Sequence, residues 1–275
     1  MSDQTVSSLG VDHLSELSLA PREFVLAAAE AGFQSTSLRI IHIAGGEPSW
    51  ADAPIDAAAI REVCDANGVR VHAIEAVALT PRFGARIDRL RRDLELGARL
   101  GAELLYSFSD DPDGGRAGDS FGMLAEAAAE FGLRLLIEAM PYRAVATLED
   151  ASQLATGVPG AGIIVDTLHA TRGGSAPDDL ALLPAEQLAV LQLCDAPLQP
   201  RRPSSSGLHP LLDEARFHRL QPGAGELALA EFAAQMPAAA IITVEAPSAT
   251  GRSPHEQLRA LRLEAARVLE GGDPA

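Results

Sequence analysis

Four apolar runs in the second half of the chain end on side chains that can ligate a metal or move a proton. IEAMPY supplies Glu138, and IIVDTLHATRGG supplies Asp166 with His169 three residues on. VLQLCDAP supplies Gln192 and Asp195, and IITVEAPS supplies Glu245. A carboxylate set directly after a buried run is costly unless it is paired or metal-bound. Taken singly, each acid can cap a helix or pair with an arginine. Brought to one place, Glu138, Asp166 and Glu245 would repel one another, and a divalent cation removes that repulsion. Oxygen donors with at most one nitrogen favour manganese or magnesium over zinc, so one such ion is the expected cofactor.

The elements that must position these groups alternate along the chain. Short apolar runs predict strands at Val11–Leu14, Ser37–Ile43, Val69–Glu75, Glu103–Ser107, Arg134–Glu138, Gly162–Asp166, Ala189–Leu193 and Ala240–Glu245. Amphipathic stretches between them predict helices at Pro21–Ala31, Ile55–Ala66, Ala85–Leu100, Phe121–Phe131, Leu148–Ala155 and Pro254–Leu269. Pro21 suits a first helical position, and Gly32, Gly68, Gly101 and Gly132 stand where helices should stop. Alternating strands and helices without a break in composition predict one domain over residues 1–275, an α/β fold closed as a single (β/α)8 TIM barrel. In such a barrel the carboxyl ends of the strands form the catalytic face. The stretch from about 196 to 225 is rich in Pro, Ser and Arg, and is expected as a long loop over that face. His13, Arg39, His42 and Glu75 lie at or near the ends of the first three strands, where they can line the cavity and meet substrate oxygens. His72, in mid-strand, reads as a packed core residue.

Composition excludes several chemistries. The chain contains no lysine, so Schiff-base, pyridoxal-type and lysine-dependent phosphate-loop mechanisms lack their amine. A net charge of −16 argues against nucleic acid or an anionic membrane as partner and leaves a small-molecule substrate. Cys64 and Cys194 have no metal-type spacing and suggest a reducing compartment, and neither a signal peptide nor a membrane span is evident. A cytoplasmic protein is expected, and a homo-oligomer is compatible with the sequence.

Together the segments IEAMPY, VDTLHATRGG, LQLCDAP, RLQPGAG and ITVEAPS resemble the xylose isomerase-like barrel superfamily of sugar phosphate isomerases and epimerases. The likeness runs from GVDHLSEL to the closing VEAPS. It implies a metal held by Glu138, Asp166, Gln192 and Glu245, with His169 and Arg219 beside the substrate. Two positions depart from the family pattern: Gln192 stands where His is frequent, and Ala224 where an acid is frequent. The resemblance implies an isomerase or epimerase in which Glu138 or Glu245 takes a proton beside a carbonyl, giving a metal-stabilised enediolate, with His169 polarising oxygens. A dehydratase or lyase acting on a cyclic polyol or hydroxy-acid is the alternative, and a non-catalytic binding barrel the second.

Overall fold

A computed structural model describes residues 8–41, 53–200, 207–247 and 251–271. Eight parallel strands close in sequence order, with β1 hydrogen-bonded to both β2 and β8. They are β1 Gly10–Val11, β2 Ser35–Leu38, β3 Arg70–Leu79, β4 Leu104–Ser109, β5 Arg134–Glu138, β6 Gly162–Asp166, β7 Leu188–Leu193 and β8 Ile241–Val244. The helices are α1 Pro21–Ala31, α2 Ala57–Asn67, α3 Ile87–Leu100, α4 Gly114–Ala129, α5 Leu148–Thr156, α6 Thr167–Arg172, α7 Pro210–Phe217, α8 Leu229–Gln235 and α9 Pro254–Glu270. The chain is thus a single (β/α)8 TIM barrel.

Strands β4, β6 and β7 are buried at every position, because helices cover the outside and side chains fill the inside. One apolar layer lies between barrel and helices. A second, formed by Ala73, Leu104, Tyr106, Leu136, Ile164, Ala189 and Val190, fills the barrel's interior. That plug makes the interior a floor rather than a pore, and the polar strand ends stand on it. Local signals set the helix ends: Thr147 caps α5 and Ser253 caps α9, each with a reciprocal acid three residues on.

Three expectations shift. β2 begins earlier and ends at Leu38, so Arg39 follows the strand instead of lying within it. β3 runs on to Leu79, which places Glu75 inside the strand. The stretch after β7 is not loop throughout, since α7 forms within it and the next helix begins at Leu229. Among the described residues no helix is long and apolar enough to cross a membrane.

Candidate active site

Glu138 is the last residue of β5 and Asp166 the last of β6. Asp166 also caps α6, accepting the backbone N–H of His169 at 2.9 Å. That N-cap explains the three-residue spacing, because it stands the imidazole beside the acid that caps its own helix. Glu138, Asp166 and His169, all buried, offer ligand atoms within 4.8 Å of one another. Gln192 sits in β7, paired in register with Asp166 on one side and Thr243 on the other. Glu245 directly follows β8 and is buried.

Arg219 ties the cluster together. Its Nη1 forms a short ion pair with Asp166 Oδ2 and donates to the Glu245 backbone carbonyl at 3.0 Å. Its Nη2 lies 3.2 Å from Glu245 Oε2 and 3.3 Å from His169 Nε2, while Nε donates to the Ala215 carbonyl at 2.8 Å. The guanidinium is therefore a buried counter-charge for two acids, with most of its donors spent on protein. Asp195 sets the path of its segment: Oδ1 accepts from the N–H groups of Ala196 and Leu227, and Oδ2 from that of Gly223. Asp195 and Leu220 also exchange backbone hydrogen bonds. Gly225 passes so close that a Cβ there would lie 2.4 Å from Asp195 Oδ1.

Burial pushes the carboxyls of Glu138 and Glu245 well above the usual carboxylate range, and the charge of Asp166 adds to the shift at Glu138. Burial also opposes ionisation of Asp166, yet the Arg219 charge and the hydrogen bonds it accepts hold its carboxyl low. Burial lowers His169 to about 4, which makes the ring neutral near pH 7. Among the described residues, the buried oxygens Glu138 Oε1 and Gln192 Oε1 have no hydrogen-bond partner. Uncompensated acceptors beside a carboxylate-rich cluster are what a cation would satisfy, so the donor set fits a divalent ion. Cys194 is buried against Thr167 and Arg219, and burial pushes its thiol up to about 12, so it is inert.

The cluster opens on a narrow cleft lined by Arg39, Glu75, Glu138, His169, Arg219 and Glu245. Gln192 and Asp166 are buried and are not among the residues that line it. His13 is in the wall instead: its ring stacks on Phe24, Nε2 lies 2.9 Å from the Leu19 carbonyl, and Nδ1 accepts the Arg39 N–H. The strand expected at Val11–Leu14 ends at Val11 and a short 3₁₀ segment follows at His13–Glu16, and His13 is not among the residues lining the cleft. His42 lies outside the described residues. His72 is the packed core residue expected, within 3.0 Å of the Tyr106 hydroxyl.

Sequence reasoning missed four participants. Tyr142 places its hydroxyl 3.4 Å from His169 Nε2. Arg143 lines the cleft, pairs with Asp110 and lies over the Phe108 ring. Arg216, one turn before Arg219, also lines the cleft, and the i,i+3 spacing of the two arginines was the available signal. The side chains of Arg39 and Arg216 have no ion-pair partner among the described residues. The fourth, Asp12, lies beneath Gln192 and is fully buried.

The sequence profile of xylose isomerase-like TIM barrels matches residues 25–268. Over 161 residues, 56% of this chain, the sequence is 34% identical to 3-dehydroshikimate dehydratase of Pseudomonas aeruginosa; the match spans 24% of that longer protein. A xylose isomerase-like TIM barrel/4-hydroxyphenylpyruvate dioxygenase fusion protein superposes with a TM-score of 0.74 at 22% identity, covering 92% of this chain and 41% of that one. D-psicose 3-epimerase superposes with a TM-score of 0.70 at 13% identity, covering 96% of this chain and all (100%) of the other.

Proposed function

This chain belongs to the xylose isomerase-like TIM barrel family, and on that premise we propose that it is a metal-dependent dehydratase of a small hydroxylated keto-acid. The observation that carries the reading is the buried meeting of Glu138, Asp166 and His169 beside two uncompensated oxygens. Glu138, Asp166, Gln192 and Glu245 would hold the ion, manganese or magnesium, with His169 adjoining. When bound, it supplies Lewis acidity to a substrate carbonyl oxygen. With a cation's charge offsetting their burial and keeping them ionised, Glu138 or Glu245, reaching the cleft from β5 and β8, would take the proton from the carbon beside that carbonyl. Glu75 stands in the same cleft with its carboxyl raised by burial to about 7, so it retains a proton to give a departing hydroxyl, which leaves as water. Neutral His169, steadied by Tyr142, hydrogen-bonds a substrate oxygen. Arg39 and Arg216 offer unspent positive charge to a carboxylate.

Isomerase or epimerase chemistry shares the first proton transfer and differs only in returning a proton to carbon. The 34% likeness to a 3-dehydroshikimate dehydratase favours water loss. The test is incubation with 3-dehydroshikimate and Mn²⁺ in deuterium oxide, with metal content measured on wild type, Glu138→Ala and Glu245→Ala. Expected are an aromatic, ultraviolet-absorbing acid and an ion lost in both variants. Deuterium entering a substrate that keeps all its hydroxyls would replace dehydratase with isomerase chemistry. No ion in any form would remove the metal reading.

A further inference from the structure

We propose that Asp12 is a positioning residue that fixes which end of the Gln192 amide faces the cation site; this rests on the metal reading above. An amide has an acceptor end and a donor end, and only the oxygen can ligate a cation. Both hydrogens of Gln192 Nε2 are committed: one donates to Asp12 Oδ2 at 3.0 Å, the other to Glu245 Oε1 at 3.2 Å. A flipped amide would set its oxygen against two carboxylate oxygens in a buried site, so the chemistry of the neighbours dictates the orientation. Among the described residues the amide oxygen has no donor, which leaves it free to ligate.

Asp12 is itself held. Its Oδ2 also accepts from Thr243 Oγ1 at 2.6 Å, while Oδ1, 3.3 Å from His72 Nε2, makes no hydrogen bond among the described residues. Because β1 is hydrogen-bonded to β8, closing the barrel brings Asp12 under Gln192 from the far end of the sequence. An anion behind the amide N–H also polarises the amide and makes its oxygen a better donor to a cation. Asp12 thereby offsets the weakness of a neutral amide ligand.

The experiment is Mn²⁺ binding, followed by calorimetry and by the electron paramagnetic resonance of free Mn²⁺. Wild type, Asp12→Ala, Asp12→Asn, Gln192→Ala, Gln192→Glu and the Asp12→Ala/Gln192→Ala double variant are compared, each with a thermal melt. Asp12→Ala should weaken binding by roughly 10- to 100-fold, the usual range for a residue behind a ligand. Asp12→Asn keeps an acceptor for Nε2 but loses the anion, so its affinity should fall between those of wild type and Asp12→Ala. In the Gln192→Ala background, Asp12→Ala should add less than about 2-fold, because there is no amide left to orient. Gln192→Glu keeps the test sharp if Asp12→Ala does not fold. It sets a third carboxylate against Asp12 and Glu245 and should bind Mn²⁺ more weakly than wild type despite its added charge. Tighter binding by Gln192→Glu, or an equal effect of Asp12→Ala in both backgrounds, overturns the inference while leaving the metal site standing. A wild type that binds no Mn²⁺ overturns both.

Discussion

Replacing Glu75 by Gln isolates the cost of burying an ionisable group in the floor of the cleft. Glu75 is 3% exposed, and its Oε1 accepts from Ser37 Oγ at 2.6 Å. A glutamine oxygen can accept the same bond, so the change removes ionisation and keeps that contact. Burial first, then the charge of Asp12, raises the carboxyl from 4.5 to about 7, with Arg39 opposing. A folded-state value above the unfolded one means stability is fully present below 4.5 and is lost as pH rises through about 7. With those two values the penalty is ~1 kcal/mol at pH 5 and ~3 kcal/mol at pH 8. Glu75→Gln should therefore gain about 2 kcal/mol on wild type between those pH values, whatever its fixed effect on packing. At a urea m-value of about 3 kcal/mol/M, that is a midpoint difference of roughly 0.7 M. The assay is urea unfolding of both proteins at pH 5 and pH 8 in chelator, so that no cation contributes. An identical difference at both pH values would refute the argument, because it would mean Glu75 titrates alike folded and unfolded. The same variant should lose dehydratase turnover through kcat, since glutamine has no acidic proton to give.

Two other outcomes follow from the geometry around Arg219. Gly225→Ala would drive a methyl group to 2.4 Å from Asp195 Oδ1 and 2.6 Å from the Ala196 carbonyl, costing about 2–4 kcal/mol in a thermal or urea melt; an unchanged melting temperature would show that the segment carrying Arg219 is looser than the structure has it. Arg216→Ala should raise KM for a carboxylate-bearing substrate by roughly 10- to 100-fold, the worth of a hydrogen bond to a charged group, with little change in kcat. An equal rise for an uncharged analogue would mean Arg216 shapes the cleft rather than recognising charge.

The strands and the cost of buried charge were legible in sequence. β5 and β6 coincide with their expected ranges, because each is a short apolar run bounded by turn or helix signals. Glu138, Asp166, Gln192 and Glu245 stood out because polar groups interrupt runs that should otherwise stay apolar, and His169 because it follows Asp166 by three residues in a segment that resembles the family's. Sequence spacing could not supply partners. Asp12 and Thr243 meet across 231 positions, and only closure of the barrel, setting β1 beside β8, makes them neighbours. Asp195 and His13 read as site candidates, yet Asp195 is a clamp for the segment that carries Arg219, and His13 lies in the wall. A side chain's direction depends on where its strand stops and how the next turn is wound. That α7 forms inside the stretch after β7, and presents Arg216 to the cleft, was likewise decided by packing. The residue types that could do chemistry are written locally; which of them face one another is a property of the closed sheet, set by contacts that neighbouring residues in the chain do not encode.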